Sequence, residues 1–315
     1  MSSKRNKSKH GLPAQDTGKW VRLENAEGCV ATAARLTLSS RLAAVLYHLP
    51  RASSRSDASI EHVHQLRVST RRVIAVLQLY KDVLPDKQAL RMERRMKRIR
   101  QVAGVARDLD VLALRYRDSD SQKHKRLVRR LTPLRRKARR SIADLNHALM
   151  DKDHLARRVK KLLKSIRCQS PQDLKAFAKT QLAQRSQCFF KHAKRDLDRI
   201  DELHRFRIQA KRFRYTVELL GDVLPAEIRT EIYPVVCNVQ ELLGELHDHS
   251  IARERMKRLA CQERKSHRAT QFKVLARNEK RKMKQAESRF RQWWTPSFCE
   301  SLERSIERVL QDPSG

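Results

Sequence analysis

Apolar residues recur along this chain at the three-to-four-residue spacing of amphipathic helices, and no stretch alternates as a half-buried strand would. A first pattern runs from about Ala26 through Ala33, Leu36, Leu42, Val45 and Leu46 to Leu49-Pro50, followed by a Ser-rich connector over residues 51–57. A second begins near Ile60. At 100° per residue Leu66, Val73, Leu77 and Tyr80 gather on one side of it, while His64, Arg67 and Arg71 share an arc of about 60° on the other. Asp82-Val83-Leu84-Pro85 stops this helix, because proline disfavours helical geometry in the residue before it.

Residues 86–105 predict a basic helix, with Gly104 marking a bend before Arg107-Asp108-Leu109-Asp110-Val111. Asp108 would cap the next helix or hold a neighbouring arginine. Residues 119–170 are very basic and helical, with Thr132-Pro133 placing a first turn or a kink, and would join two halves of the chain. The second half restarts at Ser170-Pro171-Gln172-Asp173. Helices follow through Phe177, Leu182 and Phe189, from Leu203, over 227–243, from Gly244 into Leu259, and over 265–291 up to Trp293-Trp294-Thr295-Pro296. Residues 298–310 are amphipathic. Residues 1–17 are polar and basic and are expected to be disordered, and the last five to fray.

The basic helix occurs twice, at an offset of 140. His64-Gln65-Leu66-Arg67, Arg71-Arg72 and Asp82-Val83-Leu84-Pro85 return as His204-Arg205-Phe206-Arg207, Lys211-Arg212 and Asp222-Val223-Leu224-Pro225. The same offset carries Gly104 onto Gly244, Asp108 onto Asp248 and Arg115 onto Arg255. A chain written this way is a duplicated unit, which predicts an all-α fold of two similar lobes. Identity at His64, Arg67 and Arg72 within the repeated block exceeds what packing alone requires. In the second copy Phe206, Phe213, Val217 and Leu220 take the apolar face, and His204, Arg207 and Lys211 the basic one.

Composition sharpens the picture. Lys and Arg number 71 against 35 acidic residues in 315, a net charge of +36, so a polyanionic partner is the simplest way to relieve self-repulsion. No apolar run reaches the roughly 18–20 residues a bilayer requires, and the basic residues 1–9 precede no signal-peptide core. No membrane partner is expected, and the cytoplasm is the expected compartment. The six cysteines, at 29, 168, 188, 237, 261 and 299, show neither paired nor metal-type spacing and read as reduced packing residues. His62 and His64 point apart on a helix, so neither they nor His247-Asp248-His249 make a ready chelate. With no Gly-rich phosphate loop, nucleophile elbow or useful Cys/His pair, catalysis has no named players, and neither enzyme activity nor a cofactor or metal is expected.

Taken together, the His64-to-Arg72 motif, the Arg107-to-Val111 stretch, His204-to-Arg207 with Lys211-Arg212-Phe213-Arg214-Tyr215, and Leu242-Leu243-Gly244-Glu245-Leu246-His247-Asp248 resemble the CHAD family of histidine-containing α-helical domains over about residues 20–298. His247, where the family often has a small polar residue, and Pro133, inside a helix that usually continues, depart from its pattern. The resemblance implies two four-helix bundles related by a pseudo-twofold, with lobes at about 18–160 and 170–298, a tail at 1–17, and a C-terminal helix and tail at 299–315. It also implies noncatalytic binding of inorganic polyphosphate in a basic central pore or groove, and association with polyphosphate granules. The polyphosphate-binding residues would be His64, Arg67, Arg71, Arg72, His204, Arg207, Lys211, Arg212 and Arg214. The alternating Glu-x-Glu-x-Lys strand of the triphosphate-tunnel domains fused to some relatives does not occur here.

The rival reading is a nucleic-acid-binding helical protein, which the charge alone would permit. Aromatics make up only 5% and do not interleave the basic motifs as stacking platforms would. Asp108, Asp110 and Asp248 belong outside any polyanion site, since carboxylates repel the ligand and serve better to cap helices or orient arginines.

Overall fold

The computed structural model describes residues 18–23, 28–54, 59–117, 121–151, 154–167, 173–263 and 266–311. The expected disordered tail, part of the Ser-rich connector, the Ser170-Pro171-Gln172 restart and residues 312–315 lie outside them. Ten α-helices run in order: α1 (Val30–Ala52), α2 (Ser59–Leu79), α3 (Asp86–Arg115), α4 (Gln122–Met150), α5 (His154–Ser165), α6 (Leu174–Ala193), α7 (Ile200–Leu220), α8 (Tyr233–Gln262), α9 (Ser266–Trp293) and α10 (Pro296–Gln311). Among the described residues the β-type pairing is an isolated antiparallel bridge between Cys29 and Asp173. Beside it Gly28 adopts φ 68°, a left-handed geometry that suits glycine, and its carbonyl accepts from Leu174 N at 2.9 Å. The fold is all-α.

The apolar stripes do what their spacing predicts. On α2, Leu66 and Val73 are fully buried and Leu77 nearly so, with Tyr80 buried just past its end. On α7, Phe206, Phe213, Val217 and Leu220 are fully buried. A 3-10 turn at Lys81–Val83 ends the first of these segments, and Pro85 O accepts from Gln88 N and Ala89 N as α3 begins. The second passes through a turn and a π-helical stretch at Ile228–Ile232 into α8.

Two expected interruptions do not occur. Gly104 lies inside an unbroken α3, and Gly244 inside an unbroken α8 that fuses the helix expected over 227–243 with the one expected from Gly244. A single helical glycine costs only about 1 kcal/mol, which the buried row Met96, Ile99, Ala103, Ala106 and Leu109 on α3 readily offsets. α4 runs on through Pro133, so the proline does not open the first turn of a new helix. Nor does Asp108 cap a helix, since it sits within α3.

The chain divides into two compact units, residues 1–115 with 128–174, and residues 116–127 with 175–315. In the first, α2 packs against both α1 and α3, and α5 lies against α1. α4 is joined to α3 through Asp110, which is fully buried and accepts from Arg135 Nε at 2.8 Å and Arg139 Nη2 at 2.7 Å. In the second, α8 packs against α7 and α9. An aromatic cluster ties α6 to α7 and to the residue that follows α9: the Phe189 ring lies 4.9 Å from Phe206, 5.4 Å from Phe213 and 5.9 Å from Trp294. Burying each such phenyl ring contributes roughly 1.5–3 kcal/mol. By these bounds the first unit holds α1, α2, α3, most of α4 and α5, and the second the start of α4 and α6 to α10.

Residues 116–127 belong with the second unit for a polar reason. The buried Tyr116 hydroxyl donates to Glu279, whose other oxygen lies 2.7 Å from His249 Nδ1, and Arg126 donates to Gln271. Cys29, Cys188, Cys237, Cys261 and Cys299 are free thiols. Cys299 is a packing residue whose thiol burial pushes up to about 11, whereas Cys188 and Cys261 are exposed rather than packed. No helix among the described residues is long and apolar enough to cross a membrane.

Candidate functional site

In the first unit, burial of the apolar stripe of α2 turns the opposite face outward, so that His64, Arg67, Arg71 and Arg72 are all half-buried. α3 runs alongside and supplies Arg107 and Asp108. Arg67 Nη1 donates to Asp108 Oδ1 at 2.6 Å, the holding role expected for that aspartate. Gly104 faces this pair, and a Cβ there would stand 3.9 Å from Arg67 Cζ, an ordinary van der Waals contact, so the pair does not require glycine at this position.

The His64 imidazole titrates below its ordinary range. Burial is the main cause, followed by the Arg107 guanidinium; Glu61 opposes the shift, and Arg71 and Arg67 add to it. His64, Arg67, Arg71 and Arg107 thus form one cationic cluster in which Asp108 meets Arg67. A neutral imidazole among guanidinium groups can donate a hydrogen bond and, once an anion arrives, take up a proton.

In the second unit α7 carries the matching row. His204 and Arg212 are exposed, and Arg207, Lys211 and Arg214 are half-buried. The His204 ring lies 5.7 Å from that of His247 on α8. Arg212 has a cationic neighbour on α6, Arg185, whose guanidinium is held below its ordinary value by burial and then by Arg212. Arg214 differs from the rest of the row. Its Nε lies 3.2 Å from Glu218 Oε1, which also accepts from the Tyr233 hydroxyl at 2.9 Å. Burial opposes the charge of Arg214, but Glu218 holds it above its ordinary value, so this cation balances a buried carboxylate of its own helix.

Three participants were not among the sequence candidates: Arg107, His247 and Arg185. Arg107 and His247 are themselves 140 apart, and each stands beside the histidine of its own copy, so the repeat offset held the signal. Arg185 left none, because its approach to Arg212 depends on how α6 packs. His62 meets a histidine that spacing could not supply, His48 of α1, with Nδ1 atoms 3.1 Å apart. Among the described residues no group of three or more His, Cys, Asp or Glu is placed to hold a metal ion.

The fold has known counterparts. The CHAD domain from the plant Ricinus communis superposes with a TM-score of 0.65 at 19% identity, covering 91% of this chain and 96% of that one. PptA from Streptomyces chartreusis superposes with a TM-score of 0.62 at 16% identity, covering 84% and 99%. No curated protein matches the chain. The model of the CHAD domain matches residues 37–257, well over half of the sequence and inclusive of both basic helices, and the chain therefore belongs to the CHAD family.

Proposed function

We propose that this protein binds inorganic polyphosphate without catalysis, through the basic faces of α2 and α7, and that its cellular address follows the polymer to its stores. The observation that carries this reading is the His64 cluster, where a half-buried imidazole, its proton affinity lowered first by burial and then by the Arg107 guanidinium, stands among Arg71 and Arg67 as well. Such crowding is costly in the free protein and is relieved by a dense anion.

Polyphosphate has no bases and no fixed helical form, so a binder must recognise it through the density and placement of donors. Arginine offers a fork of N–H groups matched to phosphate oxygens, lysine a mobile point charge, and histidine an added positive charge at lower pH. Because His64 begins below its ordinary range, bound polyanion would raise its proton affinity, and binding tightens as pH falls.

The test is competition at physiological salt between long-chain polyphosphate and RNA or DNA at equal phosphate concentration, with release of free phosphate followed in parallel. Polyphosphate should displace nucleic acid, with affinity falling steeply as salt rises and no phosphate released. Preference for RNA would refute the reading, and so would an affinity indifferent to salt.

A further inference from the structure

The very basic stretch between the two copies of the motif has its own geometry. α5 buries Leu155, Val159 and Leu162 and lies against α1, which leaves Arg157, Lys160, Lys161 and Lys164 exposed on the other side. Their spacing of three, one and three residues puts them on one face, spread over about 10 Å of helix axis at 1.5 Å per residue. That face lines a shallow cleft of about 410 Å³, widely open to solvent, together with Arg167. Gln88, in the first turn of α3, borders it as well, tied to α5 by a 2.8 Å contact between its Oε1 and Ser165 Oγ.

No carboxylate is among the described residues that line this cleft. Farther along α3, Arg95 is held below its ordinary value by burial and then by Arg158 of α5 and by Arg91, so the surplus of cations extends past the rim. An ordinary solvated helix face disperses its charges among acidic partners. This one gathers Arg157, Lys160, Lys161, Lys164 and Arg167 along one shallow, open cleft.

We infer that the cleft between α5 and the start of α3 is a second phosphate site, which takes a short segment of condensed phosphate separately from the α2 and α7 faces. The identity of the ligand rests on the polyphosphate reading above, while the site itself rests on the cleft. Lysines suit a chain end that samples several positions, and Arg157 and Arg167 supply forked donors. Among the described residues no aromatic ring lines the cleft, which disfavours a nucleic-acid strand that would stack there.

Inorganic tripolyphosphate titrated calorimetrically into the full chain is the test. The triple variant Lys160→Ala, Lys161→Ala, Lys164→Ala is compared with an equal change of charge on exposed positions of α9, Arg277→Ala, Lys280→Ala, Lys284→Ala. The α5 triple should lose one tripolyphosphate site, or weaken it by about tenfold or more, while the α9 triple and the double variant Arg67→Ala, Arg207→Ala keep that site. Equal losses in the α5 and α9 triples would overturn the proposal, as would an α5 triple with unchanged stoichiometry and affinity, or displacement of tripolyphosphate from this site by RNA in preference to long-chain polyphosphate. Should the full chain bind tripolyphosphate at an α5-dependent site but prefer RNA to long-chain polymer elsewhere, the functional reading fails and this one stands. Should it bind long-chain polymer with no α5-dependent site, the reverse holds.

Discussion

Replacing Asp108 with asparagine removes one negative charge from the centre of the His64 cluster while leaving a carbonyl oxygen to accept the hydrogen bond from Arg67. The pair measures 2.6 Å between Arg67 Nη1 and Asp108 Oδ1, with side chains 30% and 44% exposed. At such exposure an ion pair contributes roughly 0.2–1 kcal/mol to stability, so the variant should fold and melt within a few degrees of the parent. Its effect on binding has the opposite sign. A phosphate drawn to Arg67 must approach the carboxylate to within about 4 Å, where repulsion between unit charges in water is about 1 kcal/mol, equivalent to roughly fivefold in Kd. Screening at physiological ionic strength, with a Debye length of about 8 Å, reduces the gain toward twofold. Titration of fluorescently labelled long-chain polyphosphate at several salt concentrations should therefore give an affinity two- to fivefold above the parent at low salt, with a salt slope steeper by roughly 0.7. The Arg67→Ala variant should move both quantities the other way. If Asp108→Asn weakens binding to the level of Arg67→Ala, the carboxylate is required to aim the arginine and the charge argument is wrong.

Other consequences concern the scaffold. His48, 6% exposed, has its pKa lowered to about 4 by burial first and then by His62 and Arg51, so as pH falls the unfolded chain takes up this proton before the folded one. Stability present above pH 6.5 should then be lost on acidification toward pH 4, by up to roughly 3 kcal/mol in urea titrations; a His48→Leu variant with the same acid loss as the parent would contradict this. Asp110→Ala leaves Arg135 and Arg139, 30% and 17% exposed, facing a buried void, and should cost about 3 kcal/mol in chemical denaturation. A cost under 1 kcal/mol would mean that α4 is held by its apolar face alone. Gly104→Ala adds a methyl group at ordinary van der Waals distance from Arg67 within a continuous helix, so it should stabilise by about 0.5–1 kcal/mol and raise Tm, whereas a fall in Tm would restore the expected bend.

The helical class, the buried faces of α2 and α7 and the repeated basic residues opposite them were legible in the chain, because a period of 3.6 residues and a repeat at offset 140 can be read from the sequence, whereas Arg214 entered only through the family resemblance. Gly104 and Gly244 were misread as interruptions for the converse reason, and Pro133 opens no new helix. Their local preferences are worth only about 1–3 kcal/mol, and packing along the rest of each long helix outweighs them. Only tertiary structure decided what each charge meets. Arg214, identical in chemistry to its neighbours, is set against Glu218, while Arg67 is set against Asp108, 41 residues away. The meeting of His48 with His62, the approach of Arg185 to Arg212 and the cationic cleft of α5 likewise depend on distances between helices, which a sequence pattern does not encode because each helix specifies its own face but not the one it will lie against.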